Sequence, residues 1–216
     1  MAKAVFFDLD GTLLDTAQDF AYSINLLLQD AKKPLVDFNL FRQEVYGESN
    51  RMISFAFNLP EKHPDFEMIR KNFLAIYHQN CTKKTVYFPG MELLIDSLDA
   101  KKIPWGIITN KPSWLTTPIV NHFELNKRAV CIISGDTLTK CKPDPLPLLH
   151  ACEKARVSPA QAIYIGDSET DIIAAKNAGM KSIAVTYGYH PPHADFKSWN
   201  ADMLAQSVDE ISSWLL

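Results

Sequence analysis

No stretch of this 216-residue chain approaches the ~18 consecutive apolar residues of a membrane-spanning helix. The start, Met1-Ala2-Lys3-Ala4-Val5-Phe6-Phe7, is apolar too briefly for a signal peptide before Asp8 interrupts it. A soluble, cytoplasmic protein is therefore expected. Long like-sign charge runs are also missing. Charged residues make up 22% of the chain, are dispersed, and leave a formal net charge of −3. That excludes a basic surface built for nucleic acid or for an anionic membrane. The four cysteines, Cys81, Cys131, Cys141 and Cys152, form neither a CxxC pair nor a zinc spacing. They read as reduced thiols, and Cys131, inside an apolar run, as a small core residue. The six histidines are scattered singly and read as surface or satisfied polar residues. Internal repeats and low-complexity segments are lacking.

What is present is a chain 47% hydrophobic, long enough for one domain carrying a smaller insertion. Five short apolar runs stand out: Ala4–Phe7, Trp105–Ile108, Val130–Ile133, Ala162–Ile165 and Ser182–Val185. None alternates with polar residues, which suits parallel strands buried on both faces. Helical spacing separates most of them, over Met91–Ala100, Leu146–Ala155 and Ser168–Ala178, the last ending at Gly179. The fold class expected is α/β: a three-layer, Rossmann-like parallel sheet with helices on both faces. Residues 16–82 break the rhythm. Phe20–Leu28, Phe38–Val45, Met52–Phe57 and Phe66–Tyr77 read as helices, and no convincing strand lies among them. This block is predicted to be an inserted helical domain, with 1–15 and 83–216 forming the core.

Polar motifs follow three of the apolar runs. Asp8-Leu9-Asp10-Gly11-Thr12 follows the first, Thr109-Asn110-Lys111 the second and Gly166-Asp167-Ser168-Glu169-Thr170-Asp171 the fourth. Lys142 lies beyond the third. In open parallel sheets ligands bind outside the carboxyl ends of the strands, so these groups should share one rim. Two carboxylates ~5 Å apart repel by roughly 3 kcal/mol at an effective dielectric of 20. Asp8, Asp10, Asp167 and Asp171 together therefore demand a cation or a shared proton. The motifs hold no His or Cys, so a hard ion such as Mg²⁺ is expected rather than zinc. A carboxylate, a lysine, a hydroxyl–amide pair and such an ion suit phosphoryl transfer, with Asp8 attacking phosphorus. Asp10 is placed to protonate the leaving oxygen and then to deprotonate water. Gly11 permits a turn that brings backbone N–H groups toward the phosphate.

Asp8-Leu9-Asp10-Gly11-Thr12-Leu13, Ile108-Thr109-Asn110-Lys111, Lys142-Pro143 and Gly166-Asp167 with Asp171 closely resemble the four ordered motifs of the haloacid dehalogenase-like hydrolases. The resemblance covers the whole chain. It implies Asp8 as nucleophile, Asp10 as general acid and base, and Thr109, Lys142 and, in a lesser role, Asn110 as phosphate binders. It also implies Mg²⁺ on Asp8, the Asp10 backbone carbonyl and Asp167, with Asp171 behind them or as an occasional direct ligand. The helical block looks like that family's type-1 cap. Lys142-Pro143-Asp144-Pro145, Asn177-Ala178-Gly179 and Thr186-Tyr187-Gly188-Tyr189 look like phosphoglycolate phosphatases. Trp105-Gly106 and Thr109-Asn110-Lys111-Pro112 also resemble N-acetylmuramic acid 6-phosphate phosphatases, and the core motifs do not separate the two.

The expected activity is hydrolysis of a small organic phosphate by a monomer or homodimer. A sugar phosphomutase and a non-catalytic binding module are the rival classes; Asp10 argues against a true dehalogenase. Residues 47–51 read as a polar loop, from which Arg51 could grip a substrate carboxylate with its planar fork.

Overall fold

The computed structural model describes residues 2–215. Ala4–Phe7 forms β1, with all four residues buried. The chain then makes β2 (Leu14–Asp15) and runs through α1 (Ala17–Asp30), α2 (Phe38–Arg42), α3 (Glu48–Phe57) and α4 (Phe66–Asn80). After β3 (Val86–Tyr87) the βα alternation begins: α5 (Met91–Ala100), β4 (Trp105–Ile108), α6 (Ser113–His122), β5 (Ile132–Ile133), α7 (Leu146–Ala155), β6 (Ala162–Gly166), α8 (Glu169–Ala178) and β7 (Lys181–Val185). A short β8 (Met203–Ala205) and α9 (Val208–Leu215) complete the described chain. Six strands form one sheet in the order β5-β4-β1-β6-β7-β8, and every pairing in it is parallel.

Burial on both faces explains the unbroken apolar runs. Ala4, Phe6, Ile108 and Tyr164 pack with Leu148, Ala151 and Cys152 of α7 and Ala174, Ala175 and Ala178 of α8. Cys131 packs against this cluster, and burial pushes its thiol up to about 12. Side chains alternate along a strand, so Val5 and Phe7 face the opposite layer. There Phe7 meets Trp105 edge-on at 6.5 Å between ring centroids. The Trp105 indole donates to Asp99 of α5 at 2.7 Å, satisfying its buried N–H.

The α/β expectation holds, with corrections at the ends of elements. The third apolar run is strand only at Ile132–Ile133; β5 is an edge, and Val130 is partly exposed. Residues 47–51 do not form the expected polar loop. Val45–Gly47 is a single tight helical turn and α3 starts at Glu48, where an acidic residue favours a helix N-terminus.

The chain divides into two compact units. One comprises Met1–Asp15, Tyr87–Gly188 and Asp195–Leu216, and holds the parallel sheet. The other comprises Thr16–Val86 and Tyr189–Ala194. Sequence patterning set the upper boundary at 82; the observed boundary is later because Asp19 reaches beyond it. Its carboxylate, fully buried, accepts from Lys84 N at 2.9 Å, Thr85 N at 2.9 Å and Thr85 Oγ1 at 2.8 Å. Residues 189–194 join the same unit through Tyr189, whose hydroxyl accepts from Ala17 N at 2.8 Å while Arg42 lies over its ring. Within the unit, Phe20 stacks on Tyr77 at 4.2 Å and both rings are buried.

Removing the Asp19 carboxylate strands two backbone N–H groups, while the Thr85 hydroxyl keeps the Cys81 carbonyl at 3.1 Å. Asp19→Ala should lower unfolding free energy by about 3 kcal/mol, and Asp19→Asn by less, in urea titrations followed by circular dichroism.

Candidate active site

Strand register brings the predicted residues together. Phe7 is in register with Ile107 on one side and Ile165 on the other. The chain leaves β1 into Asp8, β4 into Thr109 and β6 into Asp167. Three adjacent strand ends thus present polar groups on one rim, with β1 at the centre.

The loop before α7 brings in Lys142, whose ammonium is buried among four acceptors. Nζ donates to Asp8 Oδ1 at 2.8 Å, Asp171 Oδ1 at 2.7 Å and the Tyr164 hydroxyl at 2.8 Å, and the Ile108 carbonyl lies at 3.0 Å. The Tyr164 hydroxyl also donates to that carbonyl at 2.8 Å. With the phenol proton on Ile108, the three ammonium protons match Asp8, Asp171 and Tyr164. Burial works against the Lys142 charge, but Asp171 and Asp8 outweigh it and hold its pKa above the ordinary lysine value. Burial pushes the Asp8 carboxyl up to about 7. Lys142 opposes that rise, while Asp171 and Asp10 add to it. Burial beside Asp171 keeps the Tyr164 phenol neutral.

Asp171 is fully buried, and both its oxygens are engaged. Oδ1 takes Lys142, while Oδ2 accepts from Ser168 N at 3.0 Å and Ser168 Oγ at 2.6 Å. With Ser168 capping in return, this is the reciprocal box that starts α8. Asn110 has a similar positioning role. Its amide donates to Lys142 O at 3.0 Å and accepts from Lys142 N at 3.0 Å. The amide expected to touch phosphate clasps the backbone of the lysine with one of its two N–H protons and its oxygen. The Thr109 hydroxyl accepts from Lys111 N at 3.2 Å, which leaves its own proton to donate.

Asp8, Asp167 and Asp171 offer carboxylate oxygens within 4.8 Å of one another. Thr12 Oγ1 donates to Asp167 Oδ1 at 3.3 Å. Lys142 pairs with Asp8 and Asp171, and Lys111 with Asp10. An all-oxygen donor set of clustered carboxylates fits a hard divalent cation. Gly188 closes the group on one side. A Cβ there would overlap Gly11 O and the Asp167 side chain, so only glycine permits the approach.

Arg51 lies on α3. It forms an ion pair with Glu44 and stacks over the Tyr46 ring at 4.7 Å, with 46% of its side chain exposed. Sequence reasoning missed the parts played by Lys111, Tyr164, Tyr187 and Gly188. Lys111 Nζ donates to Asp10 Oδ1 at 2.8 Å, and the Tyr187 hydroxyl donates to Thr12 O at 3.1 Å. Only their places in or beside motifs could have flagged them; their partners lie far away in the chain.

Cutting Lys142 back leaves buried carboxylates without their ammonium. Lys142→Met should cost about 3–5 kcal/mol in guanidinium unfolding with chelator present.

Residues 5–185 match the haloacid dehalogenase-like hydrolase family. An N-acetylmuramic acid 6-phosphate phosphatase of Pseudomonas putida is 36% identical over 209 residues, covering 97% of this chain and 94% of that protein. A phosphoglycolate phosphatase of Xanthomonas campestris pv. campestris is 37% identical over 212 residues, covering 97% and 94%. Among solved structures, one described as a predicted phosphoglycolate phosphatase from Haemophilus somnus superposes with a TM-score of 0.85 at 27% identity. That match covers 100% of this chain and 98% of the other. Strand-end motifs, sheet order and these relatives agree: the chain belongs to the haloacid dehalogenase-like hydrolases.

Proposed function

We propose that the chain is a Mg²⁺-dependent phosphomonoesterase that works through an aspartyl-phosphate on Asp8. The observation that carries this reading is the Lys142 ammonium at 2.8 Å from Asp8 Oδ1, beside the ends of β4 and β6. An ammonium there holds the Asp8 carboxylate in place and balances charge as phosphorus is attacked.

The ion is assigned to Asp8, the Asp10 backbone carbonyl and Asp167. Asp171 is kept out of direct contact because Lys142 and Ser168 occupy its oxygens. When bound, Mg²⁺ supplies positive charge to phosphate oxygens and to the carboxylates. An Asp8 oxygen bonds to phosphorus as the ester P–O bond breaks, and Asp10 passes its proton to the departing oxygen. Asp10, now a carboxylate, then takes a proton from water. The water oxygen bonds to phosphorus, the Asp8–phosphorus linkage breaks, and Asp8 returns as a carboxylate. Thr109 donates its hydroxyl proton to a phosphoryl oxygen. The helical block 16–82 acts as the cap that excludes bulk water.

The substrate is a small phosphate ester bearing a carboxylate. Phosphoglycolate and N-acetylmuramic acid 6-phosphate, named for relatives at 37% and 36% identity, both carry one. The near-equal identities leave both in play, and side-by-side kinetics would decide between them. Arg51 is the group proposed to meet that carboxylate, exchanging Glu44 for it.

Asp8→Asn should reduce phosphate release to background, and EDTA should do the same to the wild type until Mg²⁺ is restored. Release that survives both treatments rules the mechanism out. Arg51→Ala should raise KM for carboxylate-bearing esters about tenfold, as expected for one lost charge-assisted contact, and leave simple aryl phosphates unchanged. Equal losses would remove Arg51 from recognition.

A further inference from the structure

Lys111 has its own place in the rim, distinct from that of Lys142. Its Nζ lies 2.8 Å from Oδ1 and 3.1 Å from Oδ2 of Asp10, and only 6% of the side chain is exposed. Exposed ion pairs are worth little, but this one is screened from water on the lysine side.

The backbone around Lys111 is held at three points. Its N–H donates to Thr109 Oγ1 at 3.2 Å. Its carbonyl accepts from Gly135 N at 2.9 Å and from Thr116 Oγ1 at 3.2 Å. The Gly135 contact needs glycine, because a Cβ there would overlap the backbone carbonyl of Asn110. The lysine is therefore fixed before its side chain begins. Asp10 follows Asp8 by two residues in a turn braced by Gly11 N on Leu14 O at 3.0 Å, and 20% of its side chain is exposed. Asp8 repels that carboxyl, and the Lys111 ammonium holds it against the repulsion. A general acid must sit within ~2.6–3.2 Å of the oxygen it protonates, so a freely swinging carboxyl acts poorly.

We infer that Lys111 is the positioning residue of Asp10, holding its carboxyl where the leaving oxygen departs and the hydrolytic water enters. The inference rests on the reading of Asp8 as nucleophile and Asp10 as acid and base. It separates Lys111 from Lys142: one lysine serves the attacking group, the other the proton-transfer group.

The test uses leaving groups of similar shape and different basicity. Phenolate leaves poorly without a proton; dinitrophenolate leaves readily without one. Lys111→Met should lower kcat/KM for phenyl phosphate about 30-fold, and for 2,4-dinitrophenyl phosphate less than about threefold. Lys111→Arg, which keeps the charge, should restore part of the ratio. The ratio is taken within one preparation, so partial unfolding does not alter it, and Lys111→Arg serves alone if the methionine variant fails to fold. Adding Lys111→Met to Asp10→Asn should not change the Asp10→Asn ratio further, because both act through one group. Equal losses on the two esters, or a further change in the double variant, would overturn the assignment. A wild type that releases phosphate from neither ester would instead overturn the phosphomonoesterase reading itself.

Discussion

The buried ammonium of Lys142 is the constraint around which the sheet unit is organised. Desolvating a lysine is costly, and the cost is met only where every proton has an acceptor. Here the acceptors come from β1, β4, β6 and α8, through Asp8, Ile108, Tyr164 and Asp171. Each of those elements must hold its position for the ion pairs to form. Asn110 then fixes the lysine's own backbone from the end of β4. Among the described residues, no buried side-chain nitrogen or oxygen lacks a partner. The polar layer of the rim is thus a set of interlocking requirements, and a change at one member is felt at the others.

Charge is divided within that layer. Lys142 is shared by Asp8 and Asp171, so it offsets the Asp8 charge while anchoring α8. Lys111 pairs with Asp10. Two carboxylates two residues apart in sequence therefore have different cations from different loops. That difference holds neighbouring groups of one chemical type in separate places, as the proposed division between attack and proton transfer requires.

The sheet was legible in the sequence because its central strands are buried on both faces. A run such as Ala162–Ile165 has no polar residue to interrupt it, and its end in Gly166-Asp167 marked the rim. Legibility faded where burial is partial or pairing is distant. β8 holds three residues at the sheet edge and one of them, Leu204, is exposed, so no apolar run announces it. α6 contains Pro118, which obscures a helix. The polar stretch 47–51 looked like a loop because the start of α3 is itself polar. Within the site, identity and role came apart. Asp8, Thr109 and Asp167 were placed on the rim by position, since a strand end needs no knowledge of partners, and Lys142 by lying beyond the third apolar run and by the family resemblance. Asn110, Lys111 and Tyr164 were not assigned their observed contacts, because those depend on residues 32, 101 and 56 positions away.

The helical unit is not one uninterrupted piece of chain. Residues 189–194 complete it, and the Tyr189 hydroxyl satisfies the N–H of Ala17 at the start of α1. Four chain crossings rather than two therefore separate it from the sheet unit. A recombination experiment that transplants only Thr16–Val86 into another scaffold would deprive Ala17 of its acceptor and Arg42 of its ring. The heritable module is thus discontinuous: variation in the helical block must stay compatible with a short segment far downstream, and the two stretches should change together.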